Sequence, residues 1–166
     1  MFNTPLHPAV VHIPVGLAFL APLLAVALAV AILRGWLPWR AWLALVLVQA
    51  VMLGGGIVAQ RSGEGDGERV EKVVAESKVD AHEEVAEQFL WSIGLSLVLS
   101  LLVLPFHKRG GGRWALIGAT IATFAVLGLG VRAGHSGGEL VYLHGAAQVF
   151  TSGAAPAAPA KHPDKD

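Results

Sequence analysis

No cysteine occurs among the 166 residues. That removes disulfide frameworks, zinc fingers, thiol catalysis, iron–sulfur ligation and covalent haem attachment through a C-x-x-C-H signature. Charge is scarce as well: Lys, Arg, Asp and Glu make up 14% of the chain, against about 25% in an ordinary soluble domain. The twelve bases and twelve acids cancel, so the basic excess of a nucleic-acid binder is missing and no nucleic-acid partner is expected. A Ser/His/Asp grouping, a P-loop and a dinucleotide fingerprint are also missing, and no internal repeat is evident.

What the chain has is apolar length. Four runs, 13–33, 41–60, 89–106 and 114–131, contain no Asp, Glu, Lys or Arg. About 20 residues of helix cross the hydrocarbon core of a bilayer. Strands of a membrane barrel would instead alternate polar and apolar side chains. The expectation is an all-α integral membrane four-helix bundle occupying 1–150, followed by a disordered tail at 151–166, which is rich in Ala and Pro. The first run reads as a span and not as a signal peptide, because residues 1–11 lack Lys and Arg.

Orientation follows from the connections. Arg34 and Arg40 lie between the first two runs, and Lys108, Arg109 and Arg113 between the last two, with no acid in either link. The positive-inside rule makes that side cytoplasmic. Both termini and the hydrophilic segment 61–88 then fall on the periplasmic side of a bacterial inner membrane. The five basic residues of the links leave seven bases against twelve acids on the other side. Zero net charge therefore conceals a polarised molecule, basic inside and acidic outside. Within 61–88, the glycine-rich stretch 62–68 is expected to turn, and the part from Arg69 onward suits a helix entering the third span.

This topology gathers five of the seven histidines, His7, His12, His82, His135 and His144, on the acidic side. Imidazole is the commonest metal ligand and a common axial ligand of haem iron. His82 makes the strongest individual case. On a helical period it shares a face with Val79, Val85, Ala86 and Phe89, while Asp80, Glu83, Glu84 and Glu87 point elsewhere. An imidazole on an apolar stripe needs a partner, which is a metal, a haem iron or a hydrogen-bonding side chain. His12 stands at the start of the first span, where Pro14 is tolerated in the first turn.

Beyond the fourth span, Gly130, Gly134 and Gly138 recur at four-residue spacing. A continued helix would make them one smooth stripe for a neighbouring helix or a flat macrocycle. Arg132 is placed to pair with Glu139, to neutralise a haem propionate, or simply to snorkel. Glu64, Asp66 and Glu68 do not match the spacing of a calcium loop. No histidine has Glu three residues before it, as a di-iron carboxylate bundle requires. Gln49, in the middle of the second span, is expected to hydrogen-bond another helix.

The run Leu6-His-Pro-Ala-Val-Val-His-Ile-Pro-Val-Gly-Leu17, then His82-Glu-Glu-Val-Ala-Glu-Gln-Phe89, then 134–145 ending Leu140-Val-Tyr-Leu-His-Gly, come in that order around four spans. Together they resemble the bacterial four-helix membrane family catalogued as domain of unknown function 2231, over about 6–148. The resemblance implies a redox neighbourhood, since family members can be joined to cytochrome c or Rieske-type modules. It also carries the family's histidine positions onto His7, His12, His82, His135 and His144.

Three functions stay open. The first is a periplasm-facing b-type haem protein for electron transfer, with axial ligands from His12, His82, His135 and His144 and Arg132 for a propionate. Quinone or a periplasmic cytochrome would be its exchange partner. The second is a metal-binding or transport protein holding copper, zinc or iron on His7, His12, His82, His135 and His144. Translocation fits poorly, because the spans carry no ionisable group near the midplane. The third is a non-catalytic scaffold, either a homo-oligomer or a subunit of a larger membrane complex.

Overall fold

The computed structural model describes residues 7–151, and the tail expected at 151–166 lies outside them apart from Thr151. Six α-helices follow in order: α1 His7–Val10, α2 His12–Leu33, α3 Leu43–Val70, α4 Glu76–Phe106, α5 Gly112–Tyr142 and α6 Gln148–Thr151. Single 3-10 turns, Trp39–Trp42 and His107–Arg109, precede α3 and follow α4. Four of the helical stretches are long and apolar enough to cross a membrane, and the chain is a multi-pass membrane protein. The short links force successive helices to run antiparallel. α2 packs on α3, α3 on α4, α4 on α5 and α5 back on α2, closing a four-helix ring.

These helices are apolar nearly all round, which suits burial in lipid. Leu23, Leu47, Leu95 and Ile121 point outward, where they would contact acyl chains. Inward residues form two apolar clusters. Toward the base-rich end, Ala25, Ile32, Trp42, Leu45, Val103 and Leu116 interlock. Toward the acid-rich end, Ala18, Met52, Phe89, Ile93 and Val126 do so. A polar layer lies between them: Gln49, Ser96, Ser100 and Thr123, all buried. Gln49 Nε2 donates to Ser96 Oγ at 2.8 Å, the interhelical bond expected of it. At the base-rich end Trp39 stacks on His107 at 5.4 Å and ties the two links together.

Two expectations for the hydrophilic segment need correction. The stretch 62–68 does not turn, because α3 continues as helix to Val70. The break comes instead at 71–75, so that α4 begins afresh at Glu76 with Ala75 in an extended conformation. The glycines serve as small residues within a helix. A Cβ on Gly63 would stand 2.9 Å from His7 Nδ1, and one on Gly67 would stand 3.2 Å from Glu83 Oε1. Gly65 faces open space. A glycine costs a helix interior about 1 kcal/mol relative to alanine. Gly65→Ala is therefore expected to raise the melting temperature measured by circular dichroism in detergent, whereas Gly63→Ala lowers it.

Candidate functional site at the acid-rich end

The fold brings two of the five histidines together. His7 opens α1, which packs on α3, and its Nδ1 lies 2.8 Å from the Ala59 carbonyl oxygen. His82 stands on the hydrophilic first half of α4, outside the apolar run 89–106, with its Nδ1 2.8 Å from Ser136 Oγ on α5. The two rings are 6.4 Å apart between centroids and nearly perpendicular, at 85°. The face that carries His82 is the one expected from periodicity, with Val79 and Phe89 buried along it.

The hydrogen bonds fix which nitrogen is free. A carbonyl oxygen only accepts, so His7 Nδ1 carries the proton and donates it to Ala59. Ser136 Oγ donates to the Ala133 carbonyl at 3.1 Å, which leaves it to accept from His82 Nδ1–H. In its neutral form each ring thus holds its proton on Nδ1 and keeps the Nε2 lone pair for a ligand. A metal-bound imidazole is oriented in the same way by its outer partners. Burial, and then the charge that His7 would carry, push the His82 pKa below its ordinary value. A ligand must be neutral, and both causes favour the neutral ring.

Small residues make room for the imidazoles. A Cβ on Gly137 would lie 3.1 Å from His82 Cε1, on the opposite side of the site from Gly63 beneath His7. The rings open into a cavity of 650 Å³, within the range of about 300–1,000 Å³ typical of small-molecule sites. Val70, Val79, Ala86, Leu140, Val141, Ala146 and Phe150 supply its apolar wall. Glu64, Asp66, Asp80, Glu83, Glu84 and Glu87 also line it, and the described lining includes no Lys or Arg. The crowding of carboxylates registers at Glu83. Its pKa is raised by burial first, then by Asp80, Glu71 and Glu64.

The other expected residues lie elsewhere. His12, His144 and Arg132 are exposed and absent from the cavity wall. His135 is exposed and pairs with Glu139 one turn along α5, at 3.3 Å. The glycine stripe does form, since α5 runs unbroken to Tyr142, yet only Gly130 is used closely. Its Cβ would meet Phe89 at 3.0 Å and Ala18 at 3.3 Å, whereas Gly134 and Gly138 face open space. Among the described residues, no three His, Asp or Glu side chains converge as a metal-ion site. Sequence reading missed Ser136, the Ala59 carbonyl and the two glycine seats. The Gly134-His-Ser-Gly-Gly138 run held Ser136 and Gly137 in view without saying which ring they would meet.

A family model described as predicted membrane protein (DUF2231) matches residues 3–149. No curated protein and no solved structure matches.

Proposed function

Because the chain belongs to the DUF2231 family of predicted membrane proteins, the site must carry the functional reading, and we propose that His7 and His82 hold a b-type haem for electron transfer. The supporting observation is the pair of imidazoles, each with Nδ1 committed to an oxygen acceptor, 6.4 Å apart. Two imidazoles in line on one metal, each with a bond of about 2 Å, have centroids about 6–6.5 Å apart. Haem asks only two ligands of the protein, and two are assembled. A bare transition-metal ion commonly wants three or four. The size and apolar wall of the cavity also suit a macrocycle. Non-covalent binding follows from the lack of cysteine.

When bound, haem supplies a one-electron couple at its iron. The chain's own part is to present two neutral Nε2 atoms, to limit water with the apolar wall, and to surround the site with negative charge. Carboxylates near the iron favour its oxidised, more positive form and so lower the potential. Positive-inside orientation puts this end in the periplasm of a bacterial inner membrane. There a periplasmic cytochrome is a natural exchange partner, with quinone reaching the site from the lipid. Arg132 does not line the cavity and is not needed as a propionate partner in this reading.

One observation favours a second reading. A described lining with six carboxylates and neither Lys nor Arg attracts a cation and repels propionates. It suits copper, zinc or iron held by the two imidazoles and a carboxylate that swings in. Reduced-minus-oxidised spectra and metal analysis on one preparation, purified in mild detergent from haem-replete cells, separate the two. A b-type band with iron near one per chain is expected. A colourless protein with stoichiometric copper or zinc overturns the haem reading in favour of the second. A colourless, metal-free protein leaves the scaffold role.

A further inference from the structure

At the end of the bundle opposite the histidine cavity, positive charge stands unopposed. Arg34, Arg40, Lys108 and Arg113 are exposed, and no Asp or Glu occurs in 1–63 or 88–138. Along α3, α4 and α5 the first acids met from this end are Glu64, Glu87 and Glu139. At 1.5 Å per residue they stand about 28–40 Å away. That is several Debye lengths at physiological salt. Among the described residues none of the four bases forms an ion pair. The chain does not neutralise this end by itself.

The two links that carry these bases are held in place. Trp39, next to Arg40, stacks on His107, next to Lys108, with centroids 5.4 Å apart and planes 25° apart. The first 3-10 turn also packs on α2 and α4, and the second on α4 and α5. Gly112 lies so close beneath His107 that a Cβ there would collide with the His107 backbone. Two tryptophans mark the depth of this frame. Trp36 and Trp114 are 70% and 73% exposed, and indoles gather at the headgroup level of a bilayer. The Arg34 guanidinium lies over the Trp36 ring, 5.6 Å from its centroid. This cation–π contact keeps the charge at the depth of the ring. Links as short as 34–42 and 107–111 keep the bases within the headgroup layer.

We propose that this end is a docking surface for acidic phospholipid, with headgroup phosphates of one leaflet lying against Arg34, Arg40, Lys108 and Arg113. The charges are complementary, and a guanidinium fork matches the oxygens of a phosphate. Because the bases are spread over two links, the surface takes several headgroups and not one anion in a pocket. A base beside an acidic leaflet gains about 1 kcal/mol, a factor of about five in lipid preference. The surface is separate from the histidine cavity and does not depend on its occupant.

The test places the full chain in lipid nanodiscs of phosphatidylglycerol and phosphatidylcholine. Four of the five tryptophans, Trp36, Trp39, Trp42 and Trp114, lie at this end, so Trp91→Phe restricts the fluorescence to it. Brominated acyl chains, carried by one lipid or the other, quench the tryptophans that the lipid touches. Quenching is expected to report about a tenfold preference for phosphatidylglycerol. Arg34→Gln, Arg40→Gln, Lys108→Gln and Arg113→Gln together should remove most of it. Arg61→Gln, Arg69→Gln, Lys72→Gln and Lys78→Gln together, at the other end, should leave it intact. A second measurement needs no charge variant: raising NaCl should weaken the preference, because exposed charges are screened. Equal binding of the two lipids overturns the proposal, as does a preference that survives the first set of substitutions or is indifferent to salt. Displacement of phosphatidylglycerol by dissolved glycerol phosphate, beyond the effect of NaCl at equal ionic strength, also overturns it, in favour of a site for free phosphate esters.

Discussion

Alanine in place of either His7 or His82 is expected to abolish the haem band, while alanine at His12, His135 or His144 leaves it in place. The contrast rests on position. The first two rings share a cavity, 6.4 Å apart, and the other three are exposed outside its wall. Neither change should unfold the bundle. Ala59 keeps a bond from Ser62 Oγ at 2.9 Å after His7 is removed, and Ser136 keeps its bond to Ala133 after His82 is removed. Ser136→Ala should act more gently. It leaves His82 present but frees the ring to turn, which typically costs a metal site about 10–100-fold in affinity. Titrating the apo-protein with haem and following absorbance measures all six variants on one scale. Full binding by the His7→Ala protein would show that His82 pairs with something else.

The four spans were legible because length and lack of charge suffice to set them, whatever the helices touch. Gln49 was legible for a similar reason, since a primary amide at that depth has few choices. His82 could be singled out because its apolar face is written locally, within one turn on each side. Its partner could not be read. His7 meets Ala59 across 52 positions and His82 meets Ser136 across 54, and nothing in the local pattern ranks His7 above His12. The stretch 62–68 failed for a related reason. Alternating glycines and acids look like a turn until the neighbour is known, and here the neighbours are an imidazole on α1 and a carboxylate on α4. The extension of α5 is not written locally, because its Gly134-His-Ser-Gly-Gly138 run is polar and poor in helix formers. Its packing on α4, the most extensive in the bundle, overrides that weak propensity.

The second large effect concerns two adjacent glycines of α5, Gly137 and Gly138, which should respond in opposite ways to the same substitution. A Cβ on Gly137 would already press on His82, at 3.1 Å from Cε1, 3.6 Å from Nε2 and 3.7 Å from Nδ1. Leucine there adds three more carbons beyond that atom, and the ring cannot stay against Ser136. Gly137→Leu is expected to displace His82, break its bond to Ser136 and close part of the cavity, with loss of the proposed haem. Overpacking of this kind usually costs about 1–3 kcal/mol, which a bundle of this apolar area should survive. Gly138 has nothing within 4 Å of its Cβ position. Gly138→Leu should keep the cofactor and gain up to about 0.8 kcal/mol from the better helix former. Both proteins are compared by reduced-minus-oxidised spectra and by thermal melts in the same detergent. If Gly137→Leu retains the full band, His82 is not the residue that holds the cofactor. If both variants lose it, the effect belongs to α5 as a whole and not to the seat beneath the ring.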